Sequence, residues 1–142
     1  MMKKIVLTSV MAWALSSASL GAYDLKINMQ LLNADLNIVK EGFITSDKEG
    51  LATAIERLAK HTEELLGNQE KFAQLLPEKQ KGKAKEAKMS AQIIAHNIQI
   101  IRDAISNKFN QSGIIRREEA QRAYTYIEHA CFRCHNIVRD VK

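Results

Sequence analysis

A single proline, two cysteines and no sustained period-two alternation are what this 142-residue chain has least of. Without runs in which apolar and polar residues alternate, no sheet is expected. The apolar stretch over residues 5–15 is too short to span a bilayer permanently. No block of one charge sign stands out either. Beyond the first 22 residues lysines, arginines and acids interleave in every segment, so the modest excess of +3 there reads as solvated helix faces and carries no nucleic-acid footprint. No cluster of acid, base and nucleophile is visible, which sets aside chemistry on a bound substrate.

What is present begins with MMKKIVLTSVMAWALSSASLGA. Two lysines, an apolar stretch and then small residues form the three-part pattern of a secretory signal over residues 1–22, with cleavage expected near Ala22. An uncleaved signal anchor is the alternative, because Leu20, third before the cut, is not small. Removing 22 of 142 residues leaves 120, residues 23–142, which is one domain's worth of chain. The leader takes two of the 21 basic residues and none of the 16 acids, so the balance moves to 19 against 16, or +3. Export to the periplasm of a Gram-negative bacterium is the expected localisation, with no membrane contact after cleavage.

The apolar spacing in the remainder has helical period. Leu25, Met29, Leu32, Leu36 and Val39 step by four and three, a single stripe that Gly42 is expected to end. Ser46 and Glu49 have capping-box spacing before a second stripe of Leu51, Ile55, Leu58, Thr62 and Leu65, closed by Gly67. The segment GNQEKFAQLLPEKQKGK, with Pro77, reads as a long connection in which Leu75 and Leu76 cap one end of the core. From about Ala84 a third stripe runs through Ala87, Ala91, Ile94, Ile98, Ile101 and Ile105. The turn NQSG at 110–113 leads into a fourth, Ala120, Tyr124, Ile127, Cys131, Cys134 and Val138. Four such helices predict an all-α fold, an antiparallel up-down-up-down four-helix bundle. A two-helix hairpin that dimerises is the runner-up, and the patterns leave monomer and homodimer both open.

Both cysteines fall in the last dozen residues, as CFRCH. Cys131, Cys134 and His135 are three and four apart, so on a helix they share one face. C-x-x-C-H is the attachment signature of c-type haem, in which two thiols add to the vinyl groups and the imidazole reaches the iron. Other chemistries use similar residues. A dithiol or disulfide is one, but a redox-active pair normally follows a strand in a βαβ context. A zinc site from Cys131, Cys134, His135 and His129 is another, although structural zinc ligands usually come from two segments. Plain buried cysteines would leave the histidine unexplained.

In an up-down-up-down bundle the start of the first helix lies beside the end of the fourth, which puts Met29 opposite His135. A thioether suits haem iron and raises its potential. A methionine in an apolar stripe is otherwise ordinary packing. Arg139, one turn beyond His135, is placed to pair with a haem propionate. Arg133 is expected at the surface. His61, His96 and His129 read as surface or boundary residues, with His96 the substitute ligand should Met29 not reach the iron.

The segment YDLKINMQLLNADLNIVKE resembles the opening helix of the cytochrome b-562 family, whose pattern D-L-x-x-N-M-x-x-L-N-x-x-L is met here by Asp24, Leu25, Asn28, Met29, Leu32, Asn33 and Leu36. At the other end, His135 followed four residues later by Arg139 matches the family's final helix. The resemblance implies that Met29 is the second axial ligand of the haem and that Leu32 packs against it. The chain departs from the family in its two cysteines, and in this it is similar to the c-type cytochromes that include cytochrome c-prime. The implied function is a periplasmic one-electron carrier with one covalent haem c, exchanging electrons with a redox protein donor and acceptor. Cytochrome c-prime proteins suggest the alternative of an open sixth position that binds small gases such as nitric oxide or carbon monoxide. A third possibility is a small subunit docking to a larger dehydrogenase or reductase. The family also packs aromatic residues from its third helix against the haem, and no equivalent is evident here; Ile94, His96 and Ile98 occupy that region.

Overall fold

The computed structural model describes residues 17–139, and every regular element among them is helical. They are α1 (Ser17–Thr45), α2 (Lys48–Leu66), α3 (Gln69–Leu75), a 3-10 segment (Glu78–Lys83), α4 (Lys85–Ser106) and α5 (Gly113–Arg139). Most of the expected leader, residues 1–16, lies outside the described residues, and the backbone of α1 is helical from Ser17 through the expected cleavage point. No helix among the described residues is long and apolar enough to cross a membrane.

The first helix does not stop at Gly42, as its glycine suggested, but continues to Thr45. Gly42 is inside the helix because of what it faces. A Cβ there would sit 3.1 Å from Leu51 Cβ and 3.2 Å from Leu51 Cα, so the missing side chain lets α1 and α2 approach closely. The stop is Ser46, left-handed at φ 57°, followed by Asp47 N–H donating to the Gly42 carbonyl at 3.1 Å. This is the six-to-one bond of a Schellman ending. With Ser46 committed to that turn, the expected capping box does not form. Asp47 caps α2 instead, its Oδ1 accepting from Gly50 N–H at 2.9 Å.

The segment read as a long connection holds α3 and the 3-10 segment. Asn68 starts α3 by accepting from Lys71 N–H at 2.9 Å, and Phe72, 1% exposed, anchors it in the core. Leu76 is buried beside it and Leu75 half-buried, at the core's edge as expected. The second-stripe residues of α2 are all buried. So is the stripe of α4 from Ala87 to Ile101, with Ile105 half-buried at its end. Full burial of an Ile or Leu side chain contributes about 1.5–3 kcal/mol, so these two stripes hold the helices together.

Polar ties set the pairings. Asp35, only 3% exposed, accepts from Arg57 Nε at 2.6 Å and lies 2.6 Å from His61 Nδ1, which joins α1 to α2. Arg102 grips both oxygens of Glu56 at 2.6 and 2.7 Å, joining α4 to α2, and holds the Glu56 carboxyl below its ordinary value. Buried Ser90 donates to the Ala130 carbonyl at 3.1 Å, joining α4 to α5. Backbones approach closely between α4 and α5, α1 and α2, and α2 and α4, while α1 and α5 stay further apart. That separation leaves a cleft.

Candidate functional site

The cleft between α1 and α5 holds a cavity of about 170 Å³. Met29, Leu32, Asn33, Leu36 and Asn37 form its α1 wall, at the three- and four-residue steps that keep one helix face inward. Tyr124, Glu128, Cys131, Phe132, Cys134 and His135 form the α5 wall by the same rule. Ser90 and Ile94 of α4 close the back, and Leu66 of α2 contributes an edge. Residues from the two ends of the described chain thus meet at one place.

Tyr124 spans the cleft's floor. Its hydroxyl donates to Glu128 Oε1 at 3.0 Å, with the Leu36 carbonyl of α1 at 3.4 Å. Burial first, then the bond to the Glu128 carboxylate, pushes the phenol's pKa up, so it stays a donor. Its ring meets Phe43 edge-on at 5.9 Å, a contact that fixes the Tyr124 side chain between the two helices.

Both cysteines are free. Burial pushes the Cys131 thiol up to about 11, and the neighbouring Cys134 and Glu128 add to it. The Cys134 thiol is also raised by burial, against an opposing hydrogen bond from Ser90. These are neutral thiols. A dithiol oxidoreductase needs the reverse, a thiol stabilised as the thiolate. Among the described residues no strand precedes the pair, and no group of three or more His, Cys, Asp or Glu side chains is arranged to hold a metal ion.

Burial lowers the His135 pKa, and the charge of Arg139 lowers it further. The imidazole is therefore neutral at pH 7, with a lone pair free to bind a metal. Met29 is a neutral, soft donor on the opposite wall. Together the two walls offer an imidazole and a thioether to whatever lies between them.

The expected site residues divide cleanly. Met29, Leu32, Cys131, Cys134 and His135 line the one cavity. Arg139 is exposed in the last turn of α5 and does not line it. Arg133 faces α4, with Nη2 3.3 Å from Glu86 Oε2. His96 is exposed and lines a different cavity, on the other side of α4 and α5, with Phe109 and Tyr126. It is not placed to substitute for Met29. His129 is exposed on the outside of α5, and His61 is tied to Asp35.

Sequence reasoning missed Ser90, Leu66, Asn37 and Glu128 as lining residues. Of the α4 candidates Ile94 lines the cavity, and Ile98 is buried in the core instead. Ser90 lay one turn before Ile94 on the same stripe, which was the available signal. Comparisons with protein-family models, with curated proteins and with solved structures find no match for this chain.

Proposed function

We propose that this protein is an exported one-electron carrier with a single haem c, attached through Cys131 and Cys134 and ligated by His135 and Met29. The observation that carries the reading is the meeting of Met29 with the C-x-x-C-H side chains across one apolar cleft. It belongs with the resemblance to the cytochrome b-562 family, with the fold an up-down-up-down four-helix bundle of α1, α2, α4 and α5. The short links 46–47 and 107–112 favour antiparallel neighbours, as that arrangement requires.

The donor set fits haem. Neutral thiols at attachment spacing, a neutral imidazole and a thioether opposite are what covalent His/Met ligation needs. The wall of Leu32, Leu36, Leu66 and Ile94 is apolar. At about 170 Å³ the cavity is smaller than the roughly 300–1,000 Å³ of an enclosed small-molecule site. A tetrapyrrole would keep part of its edge outside, bordered by the Phe132 ring, which is 65% exposed. For electron exchange with a redox partner, an accessible edge is an advantage.

When bound, the haem iron supplies a one-electron couple. The chain's own residues hold it in place. Cys131 and Cys134 fix the group to α5, and α5 is bound to α4 by close packing and the Ser90 bond. Tyr124 and the α1 stripe form the inner wall. Met29 and His135 sit on separate helices, so little moves between oxidation states if both helices are held. No enzymatic step is assigned.

The test is an absorption spectrum of the exported protein in ferric and ferrous forms, with and without carbon monoxide. Low-spin spectra, a weak far-red sulfur-to-iron band and indifference to the gas are expected. Met29→Ala should convert the ferric form to high spin and open the ferrous form to carbon monoxide. A wild-type protein already high-spin and gas-binding would leave Met29 as packing and move the protein to the gas-binding class; a Met29→Ala variant with unchanged spectra would remove Met29 as ligand.

A further inference from the structure

Glu128 is an ionisable group in the cleft around Met29 that the ligation scheme leaves without a role. Among the described residues it is the only carboxylate lining that cleft, and no lysine or arginine lines it. We propose that Glu128 sets the reduction potential of the haem and makes it depend on pH, with Tyr124 as its positioning residue. The inference rests on the haem reading and adds a regulation of that same site.

A carboxylate beside an apolar wall is costly without a compensating partner, and Glu128 has only a neutral one. Its Oε1 accepts from the Tyr124 hydroxyl at 3.0 Å. Among the described residues no lysine, arginine or histidine lies within ion-pair range of it. The other walls of the cleft are uncharged, with Asn33 and Asn37 from α1, Ser90 and Ile94 from α4 and Leu66 from α2. On α5 itself, Cys131 and Cys134 cease to titrate once they are thioethers, and His135 once it is a ligand. The Glu86–Arg133 pair does not line the cleft, and neither do Arg139 and His129. No fixed cation therefore cancels the Glu128 charge. That charge already acts on two neighbours: after burial, it is part of what raises the Tyr124 phenol and the Cys131 thiol.

A ferric haem core carries one net positive charge and a ferrous core none, so a carboxylate nearby favours the ferric form. Glu128 lies three residues before Cys131 and seven before His135, which is two turns, or about 10 Å, along α5. At that separation, at a dielectric between water and dry protein, one unit charge moves the ferric-to-ferrous equilibrium by about tenfold. Tenfold is about 59 mV for one electron. The bond from Tyr124, which burial keeps protonated, holds the carboxyl on the cleft side of α5 and favours its ionised form. When a reduced redox partner supplies an electron, the loss of positive charge raises the affinity of Glu128 for a proton, which solvent supplies. Electron and proton enter together at pH values between the carboxyl's ferric and ferrous pKa. The potential falls as pH rises through that interval and is level above and below it.

The experiment is a redox titration of the haem-loaded protein from about pH 4 to pH 9, on the wild type, Glu128→Gln, Glu128→Asp and Tyr124→Phe. Glu128→Gln should favour the ferrous form by about tenfold at pH 7 and lose the slope that Glu128 supplies. Glu128→Asp should restore a slope, which a purely structural role would not do. Tyr124→Phe removes the bond to the ionised carboxyl and should move the slope to higher pH. A Glu128→Gln protein with the wild-type potential and slope would overturn the inference and assign the slope to the haem propionates; a wild-type potential level across the whole range would overturn it as well. Should Glu128→Gln not hold low-spin haem, a Tyr124→Phe slope unmoved from the wild-type pH would overturn it. A wild type whose absorption spectrum shows no covalent low-spin haem would instead remove the haem reading, so the two failures are told apart.

Discussion

The charge beside His135 decides more than the imidazole's own titration. Arg139 lies one turn beyond it, and its positive charge helps keep the ring neutral. The same charge acts on the iron in the proposed holoprotein, where a nearby cation favours the ferrous form. Arg139→Ala should therefore lower the reduction potential, measured by redox titration. An exposed charge pair is worth about 0.2–1 kcal/mol, which corresponds to roughly 10–40 mV for one electron. An unchanged potential would mean that Arg139 is screened and makes no propionate contact. At this scale much of the cavity's lining was legible. Cys131, Cys134 and His135 lie three and four apart and so share a face of α5, and Met29 shares a face of α1 with Leu25 and Leu32. Ser90 was signalled only by its place one turn before Ile94, and Leu66 was not legible, since nothing in a sequence fixes the rotation of α2 relative to α5.

Between elements, local signals and tertiary contacts gave different answers. Gly42 looked like a helix stop because glycine after an apolar stripe usually is one. In the structure it is the point where α1 meets Leu51, and Ser46 supplies the left-handed turn that a glycine would normally provide. Phe72 and Asn68 were hidden differently. Their segment is rich in charge, with one proline and two glycines, and only burial of the Phe72 ring shows that it holds a helix. The bounds of α2, α4 and α5 were read to within a few residues, because a 3.6-residue stripe is long-range evidence that survives local exceptions, while α1 extends beyond its stripe at both ends. Gly42→Val follows from the contact distances. Its two extra methyl groups meet Leu51 backbone and side chain already at 3.1–3.4 Å from the Cβ position. The change should destabilise the protein by about 1–3 kcal/mol, the usual cost of overpacking, as urea unfolding would show. A Gly42→Val protein as stable as the wild type would mean that α2 yields at no cost.

Across the whole molecule the helices are not equally held. α4 packs against α5 on one side and α2 on the other, with the Ser90 and Arg102 bonds added. α1 rests mainly on α2, through the Gly42 approach and the buried Asp35, and faces α5 across the cleft. The order of the stripes let the sequence suggest which helices are neighbours, but the gap between α1 and α5 depends on distances that no periodicity encodes. A group bound between them would supply the missing contacts. Local opening of a helix has its own free energy, set by the contacts that must break. In a haem-free chain, expressed without residues 1–22, amides at 28–36 of α1 should therefore exchange faster than those at 94–101 of α4. Attachment of haem should slow the α1 amides by about tenfold or more, for each 1.4 kcal/mol of added contact, and leave the α4 amides closer to their former rates. Hydrogen exchange read by NMR separates the two segments. Uniform slowing of both helices would mean that the chain opens as one unit. No slowing in α1 would mean that the bound group does not bridge it to α5, and that Met29 is not held at the iron.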